Sequence, residues 1–275
     1  MLRTMPVNLP SNPARPLQVP GVARELRLFG DKQRGRVLPL VLHFHGGNFT
    51  GGDLDGGAYL AQLIAGAGAV VASFDYPLAP QHRFPDAVEA GYAALEWLYK
   101  QRTRLAGKDA PVFVAGEEAG ANLAAAVAMV ARDRLHPPLA GQLLVAPMLD
   151  PCTASPSVRD KLGTQLACRW SEGWQHYLRG PMDAEHPYAV PARAQRLAGL
   201  PAALILTAAD DPMRDDAIGY AQRLREAGVA VTSPVIGTPS GWPESLDEVP
   251  PDQCPCAAES QEHLRAFFGP PIVPS

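Results

Sequence analysis

Apolar residues along this chain fall into short unbroken runs, separated by stretches where they recur every three or four positions. Leu38 to His43, Ala69 to Phe74, Val112 to Ala115, Leu143 to Ala146 and Leu204 to Thr207 are the unbroken runs. Unbroken runs of this length predict strands buried on both faces. Between them, Asp86 to Tyr99 carries Val88, Tyr92, Leu95 and Tyr99 on one helical stripe, and Leu123, Val127 and Val130 mark a second. Asp215 to Glu226 reads as a helix stopped at Gly228, and Glu259 to Phe268 as one stopped by Gly269-Pro270. Ala23 to Leu28 predicts the first strand and Val229 to Ile236 a late one. Pro234 removes a ladder donor from the latter and places it at an edge or bulge. Strands that each lead into a helix predict an α/β architecture with a doubly wound, mostly parallel sheet.

Two segments break this rhythm. Pro151 to Gly199 is a long insertion with its own aromatic residues, Trp170, Trp174 and Tyr177, and reads as a small lid. Thr238 to Pro255 holds five prolines and four acids and reads as an irregular loop. Met1 to Pro20 reads as an extended Pro-rich arm, leaving 21–275 as one domain with a lid-like insertion at about 151–199.

Composition narrows the function. Of 275 residues, 47% are hydrophobic and 19% charged, which suits a packed globular core. Lys+Arg 24 against Asp+Glu 28 gives a net charge of −4, so a phosphate-seeking basic surface is excluded as the organising feature, and nucleic acid is not expected as a partner. No apolar run reaches the roughly 18 residues of a membrane helix. The first residues lack the apolar segment of a secretory signal, so the expected location is the cytoplasm. There Cys152, Cys168, Cys254 and Cys256 are expected as reduced thiols. Cys254-Pro255-Cys256 lacks a second pair at zinc spacing, so neither a metal nor another cofactor is expected.

The candidate chemistry sits where strands end. His45-Gly46-Gly47-Asn48 follows the first strong strand, and Asp75-Tyr76-Pro77-Leu78-Ala79-Pro80-Gln81 follows the second. Gly116-Glu117-Glu118-Ala119-Gly120-Ala121-Asn122-Leu123-Ala124 spans a strand-to-helix turn, and Asp211-Pro212-Met213-Arg214-Asp215 follows a late strand. In order and spacing these segments resemble the signatures of the hormone-sensitive-lipase family of α/β-hydrolase esterases, over roughly Gln18 to Phe268. The resemblance implies an α/β-hydrolase fold with a reduced cap. It also implies an oxyanion hole made by the amides of Gly46, Gly47 and Ala119, which would stabilise charge developing on a substrate carbonyl. Asn48 stands where the family has a third glycine.

This chain departs from the family in its reactive groups. Glu118 occupies the elbow position of the nucleophilic serine, and Ser240 falls where the family carries its histidine. Asp211 alone keeps the identity of the triad acid. His263 lies inside the last predicted helix, His43 and His82 belong to fold-signature segments, and His176 and His186 fall in the lid. None of them is placed to replace the missing base. A carboxylate at the elbow serves as nucleophile in other branches of the fold, but a histidine must then activate water to release the ester. The alternative is structural: Glu118 at a helix N-terminus, folded into the hole, accepting from the amides of Gly46 and Gly47. Glu117, one acid for another, is expected to change little.

Three functions follow from this reading. The first is a pseudoenzyme of the esterase family that binds a small apolar, acyl or carboxylate-bearing ligand. The second is an active carboxylic-ester hydrolase with a non-standard catalytic set. The third is a non-catalytic scaffold or subunit, for which a homo-oligomer is one form.

Overall fold

The computed structural model describes residues 7, 9, 14–18, 24–151, 155–160, 165–237 and 256–270. Its centre is a nine-stranded sheet. In spatial order the strands are β1 (Arg15–Gln18), β2 (Glu25–Phe29), β4 (Val70–Phe74), β3 (Leu40–Phe44), β5 (Val112–Glu117), β6 (Gly141–Val145), β7 (Ala202–Ala208) and β8 (Val231–Thr232). A ninth, β9 (Val235–Ile236), also pairs with β7. From β4 across to β8 every pairing is parallel, while β1 and β2 form an antiparallel edge. The late strand is interrupted at Ser233-Pro234, where proline supplies no ladder donor, so two short pieces meet β7 in turn.

Successive strand residues face opposite layers, as a pleat requires. Leu40, Leu42, Val112 and Val114 join a core shared with α2 (Asp86–Leu105), α3 (Ala119–Asp133) and α7 (Arg214–Glu226). Val41, Phe113 and Leu143 join the other, under α1 (Ala58–Gly66) and a last helix, α8 (Cys256–Phe268). The predicted helices are present, with α2 running six residues past Tyr99; α1 was not anticipated.

Helix α3 is the element that positions the site. Every residue from Ala119 to Ala131 is buried, and alanine makes such a helix both favourable and thin. A Cβ on Gly120 would overlap the carbonyls of Phe44 and His45, and one on Gly116 would overlap the Gly120 carbonyl. These glycines set how closely α3 crosses β3 and β5.

The insertion folds as α4 (Pro156–Arg159), α5 (Gln165–Tyr177), α6 (Pro181–Ala184) and a 3₁₀ turn at Pro191–Arg193. Trp170, Trp174 and Tyr177, at i, i+4 and i+7 along α5, are buried and join the core above the sheet. No described helix is long and apolar enough to cross a membrane. Cys256 is disulfide-bonded, which overturns the reduced-thiol expectation for that residue, whereas Cys168 is free and exposed.

Candidate active site

Glu118 is the elbow. It stands between β5 and α3 with φ 52° and ψ −116°, a backbone conformation worth about 1–3 kcal/mol of strain for a non-glycine residue. Three backbone bonds hold it there: its N–H donates to the Val145 carbonyl at 3.0 Å, and its carbonyl accepts from the N–H groups of Met148 at 3.1 Å and Asn122 at 3.3 Å.

The loop after β3 faces the elbow. Gly47, Asn48 and Phe49 all take positive φ, and two amides, those of Thr50 and Gly51, fold back onto the Gly47 carbonyl. The turn aims consecutive N–H groups at Glu118. Its Oε2 accepts from the Gly47 amide at 2.6 Å and the Asn48 amide at 3.2 Å. Its Oε1 accepts from the Trp170 indole Nε1 at 3.2 Å. The expectation that Gly46 and Gly47 donate to Glu118 holds for Gly47 and is corrected for Gly46. The Gly46 amide donates instead to Glu117 Oε1 at 3.1 Å, and Asn48 takes its place. Ala119, fully buried, opens α3 beside the elbow.

Glu117 therefore matters more than the sequence suggested. Its side chain ties down Gly46, and its second oxygen lies 3.6 Å from Nε2 of the buried His43, whose Nδ1 meets Ser73 Oγ at 2.9 Å. The second motif buttresses the same loop. The Tyr76 hydroxyl donates to the His45 carbonyl at 2.9 Å while the two rings stack at 4.3 Å, and the Ala79 amide donates to the Phe49 carbonyl. Burial holds His45 below its ordinary pKa and raises Tyr76 well above its own. Asn122 of the elbow motif ties α3 to the lid, donating to the carbonyls of Met148 and Ala189.

Asp211 is bound within its own turn. It is 1% exposed, accepts from the Thr207 hydroxyl, and takes the Met213 amide at 2.8 Å. Burial, reinforced by the neighbouring Asp210, raises it to about 7, against the pull of those two donors. All seven histidines are among the described residues, and none is bonded to Asp211 or to Glu118. His82 meets Asp86, His186 accepts from the Tyr188 amide, and His263 lies on α8. Ser240 lies outside the described residues. No group of three or more His, Cys, Asp or Glu side chains among the described residues is arranged to hold a metal.

Trp170 is the Glu118 partner that had no role in the sequence reading beyond membership of the lid's aromatic cluster; that its N–H completes the Glu118 cradle is visible only in the structure.

A strand–elbow–helix with a facing glycine loop, on a mostly parallel sheet, defines the α/β-hydrolase fold. A family model described as alpha/beta hydrolase fold matches residues 41–238, and the chain belongs to that family, in its hormone-sensitive-lipase-like branch. Among curated relatives it is 39% identical over 197 residues to Esterase LipI of Mycobacterium tuberculosis, covering 70% of this chain and 62% of that protein. It is 31% identical over 206 residues to Gibberellin receptor GID1B of Arabidopsis thaliana, covering 71% and 57%. The chain thus spans just under two thirds of the length of such relatives. Among solved structures, a Bacterial Heroin Esterase superposes with a TM-score of 0.81 at 29% identity, covering 94% of this chain and 85% of that one. A hyperthermophilic esterase from the archaeon Pyrobaculum calidifontis gives 0.81 at 30%, covering 94% and 87%.

Proposed function

We propose that this protein is a non-catalytic member of the esterase family that binds a small molecule rather than hydrolysing one. The observation that carries the reading is the seat of Glu118. A carboxylate of the chain itself occupies the amides where a substrate oxyanion would develop, beneath a buried indole. Attack on an ester carbonyl from that position would give a mixed anhydride, and no histidine is hydrogen-bonded to Glu118 to activate water against it. Removing the serine or the histidine of a triad lowers turnover by on the order of 10⁶, and both positions are changed here. Relatives named as receptors support the same route from enzyme to binder.

Because the hole is filled, the ligand belongs elsewhere on the lid. A cavity of about 470 Å³ opens on the outer side of α5, walled by Trp174, Leu178 and Pro181 with Arg83 and Arg179 at its rim. Arg179 is committed to Asp183, while the Arg83 guanidinium has only a 3.4 Å contact to the Leu178 carbonyl. An apolar wall with one available guanidinium suits an acyl chain or a small carboxylate-bearing apolar molecule.

The test is hydrolysis of p-nitrophenyl acetate. The expected rate equals that of buffer. Turnover by the wild type that disappears in Glu118→Ala overturns the reading and makes Glu118 a catalytic residue.

A further inference from the structure

The contacts between α5 and the loop after β3 go beyond a filled hole. In one short stretch of α5, Trp170 donates to Glu118, Gly173 lies so close to Asn48 that a Cβ would overlap the Asn48 carbonyl oxygen, and Trp174 and Tyr177 pack on Phe49. The Phe49 and Tyr177 rings stack at 4.0 Å with 5° between their planes. The lid helix thus rests directly on the glycine loop, and the group it shares with that loop is the Glu118 carboxylate. Two donors come from the loop and one from the lid. Glu118 is 9% exposed and Trp170 2%, so the three bonds form away from water.

We propose that the former ester site is a three-donor carboxylate receptor, formed by the Gly47 amide, the Asn48 amide and the Trp170 indole, whose resident ligand is Glu118 and whose occupancy clamps α5 to the loop. This rests on the non-catalytic reading and gives the filled hole a structural role of its own. The donors suit a carboxylate by geometry: two amides converge on one oxygen and the indole N–H meets the other, so each oxygen has a donor of its own side. A neutral ester offers one carbonyl oxygen and leaves the indole facing an oxygen that accepts weakly. Leaving a buried donor without its acceptor is costly, so the receptor requires an anion in place. When the Glu118 side chain is shortened, the cradle becomes free for a small external carboxylate of the same shape, which enters as α5 lifts and restores the clamp.

The experiment is thermal unfolding of wild type and Glu118→Ala, titrated with sodium acetate against sodium chloride at equal ionic strength and neutral pH. Glu118→Ala is expected to melt below wild type and to regain stability saturably with acetate in the millimolar range, with no such gain in chloride. Wild type is expected to respond identically to both salts. Adding Trp170→Phe to Glu118→Ala removes one charge-assisted donor and should weaken the acetate effect about tenfold. Equal effects of acetate and chloride on folded Glu118→Ala, or an equal acetate response in wild type, overturn the proposal. If Glu118→Ala fails to fold, the isosteric Glu118→Gln decides it. The Trp170 indole proton resonance, assigned by its absence in Trp170→Phe, should move upfield when its acceptor becomes an amide, and an unmoved resonance overturns the clamp. Esterase turnover by wild type would instead sink the non-catalytic reading, whatever acetate does.

Discussion

Two buried acids stand at the ends of β5 and β7, and their surroundings differ sharply. Glu118, at the end of β5, is met by three N–H donors contributed by a loop and a lid helix. Asp211, after β7, is met by one hydroxyl and one amide, both within four residues of it, with Asp210 nearby, and burial raises it to about 7. The first acid holds distant parts of the chain together, whereas the second caps its own turn. In a working triad a histidine would lie between two such positions. Without one, each carboxyl has settled with the donors nearest to it, and whether it contributes to stability depends on how many there are.

The largest expected effect comes from breaking the Glu118 side. Trp170→Ala removes a buried aromatic and the third donor together, and should lower unfolding free energy by about 3–5 kcal/mol, read by urea denaturation. Trp170→Phe should lose far less, since most of the packing survives. Similar losses in the two variants would mean that packing plays no part at this position.

Next comes rejoining the two acids. Glu118→Ser with Ser240→His supplies a nucleophile and a base at the positions the family resemblance assigns to them, while the amides of Gly47 and Asn48 are already in place. Short-chain ester hydrolysis by the double variant should exceed either single by on the order of 10², because serine without a base and a base without serine each achieve little. Trp170 above the hole limits access, so adding Trp170→Ala should raise the rate further. Additive singles would refute the triad geometry.

The Asp211 side is sharpened by pH. Its folded pKa of about 7 lies above the unfolded value of 3.8. Between them the native state keeps a proton that the unfolded chain has released, so this group's contribution to stability falls as pH rises through 7. Asp216, raised to about 6 by burial, works in the same direction, and His45, held low by burial, works in the opposite one. The quantity to compare is therefore the difference between wild type and Asp211→Asn, whose amide can still meet Thr207 and Met213. From about pH 8 to about pH 5, wild type should gain roughly 2–3 kcal/mol relative to the variant. Parallel pH profiles would show that Asp211 ionises freely.

The smallest effect isolates one donor. Thr207→Val keeps shape but removes the hydroxyl on Asp211, and should destabilise by about 1–2 kcal/mol near neutral pH. The loss should shrink on acidification as Asp211 takes up its proton.

The sequence by itself determined the parallel sheet, because unbroken apolar runs have no other stable use, and it determined the elbow, because the small residues around Glu118 leave room for a sharp turn. It also located the break at Pro234, and by resemblance it put Glu118 and Ser240 at the positions expected to carry serine and histidine. These are local properties, carried by a few neighbouring residues each. Helix α1 is short, and its stripe of Tyr59, Leu60, Leu63 and Ile64 spans little more than one turn between glycine-rich segments. What only the tertiary structure decided are contacts between residues far apart in the chain. Asn48 rather than Gly46 reaches Glu118 because positive φ at 47, 48 and 49 swings the loop by one residue, and because Glu117, 71 residues from Gly46, takes the vacated amide. Trp170 meets Glu118 across 52 residues of chain. Periodicity can say that an indole is buried, but the direction of its N–H is set by how α5 lies on the loop beneath it.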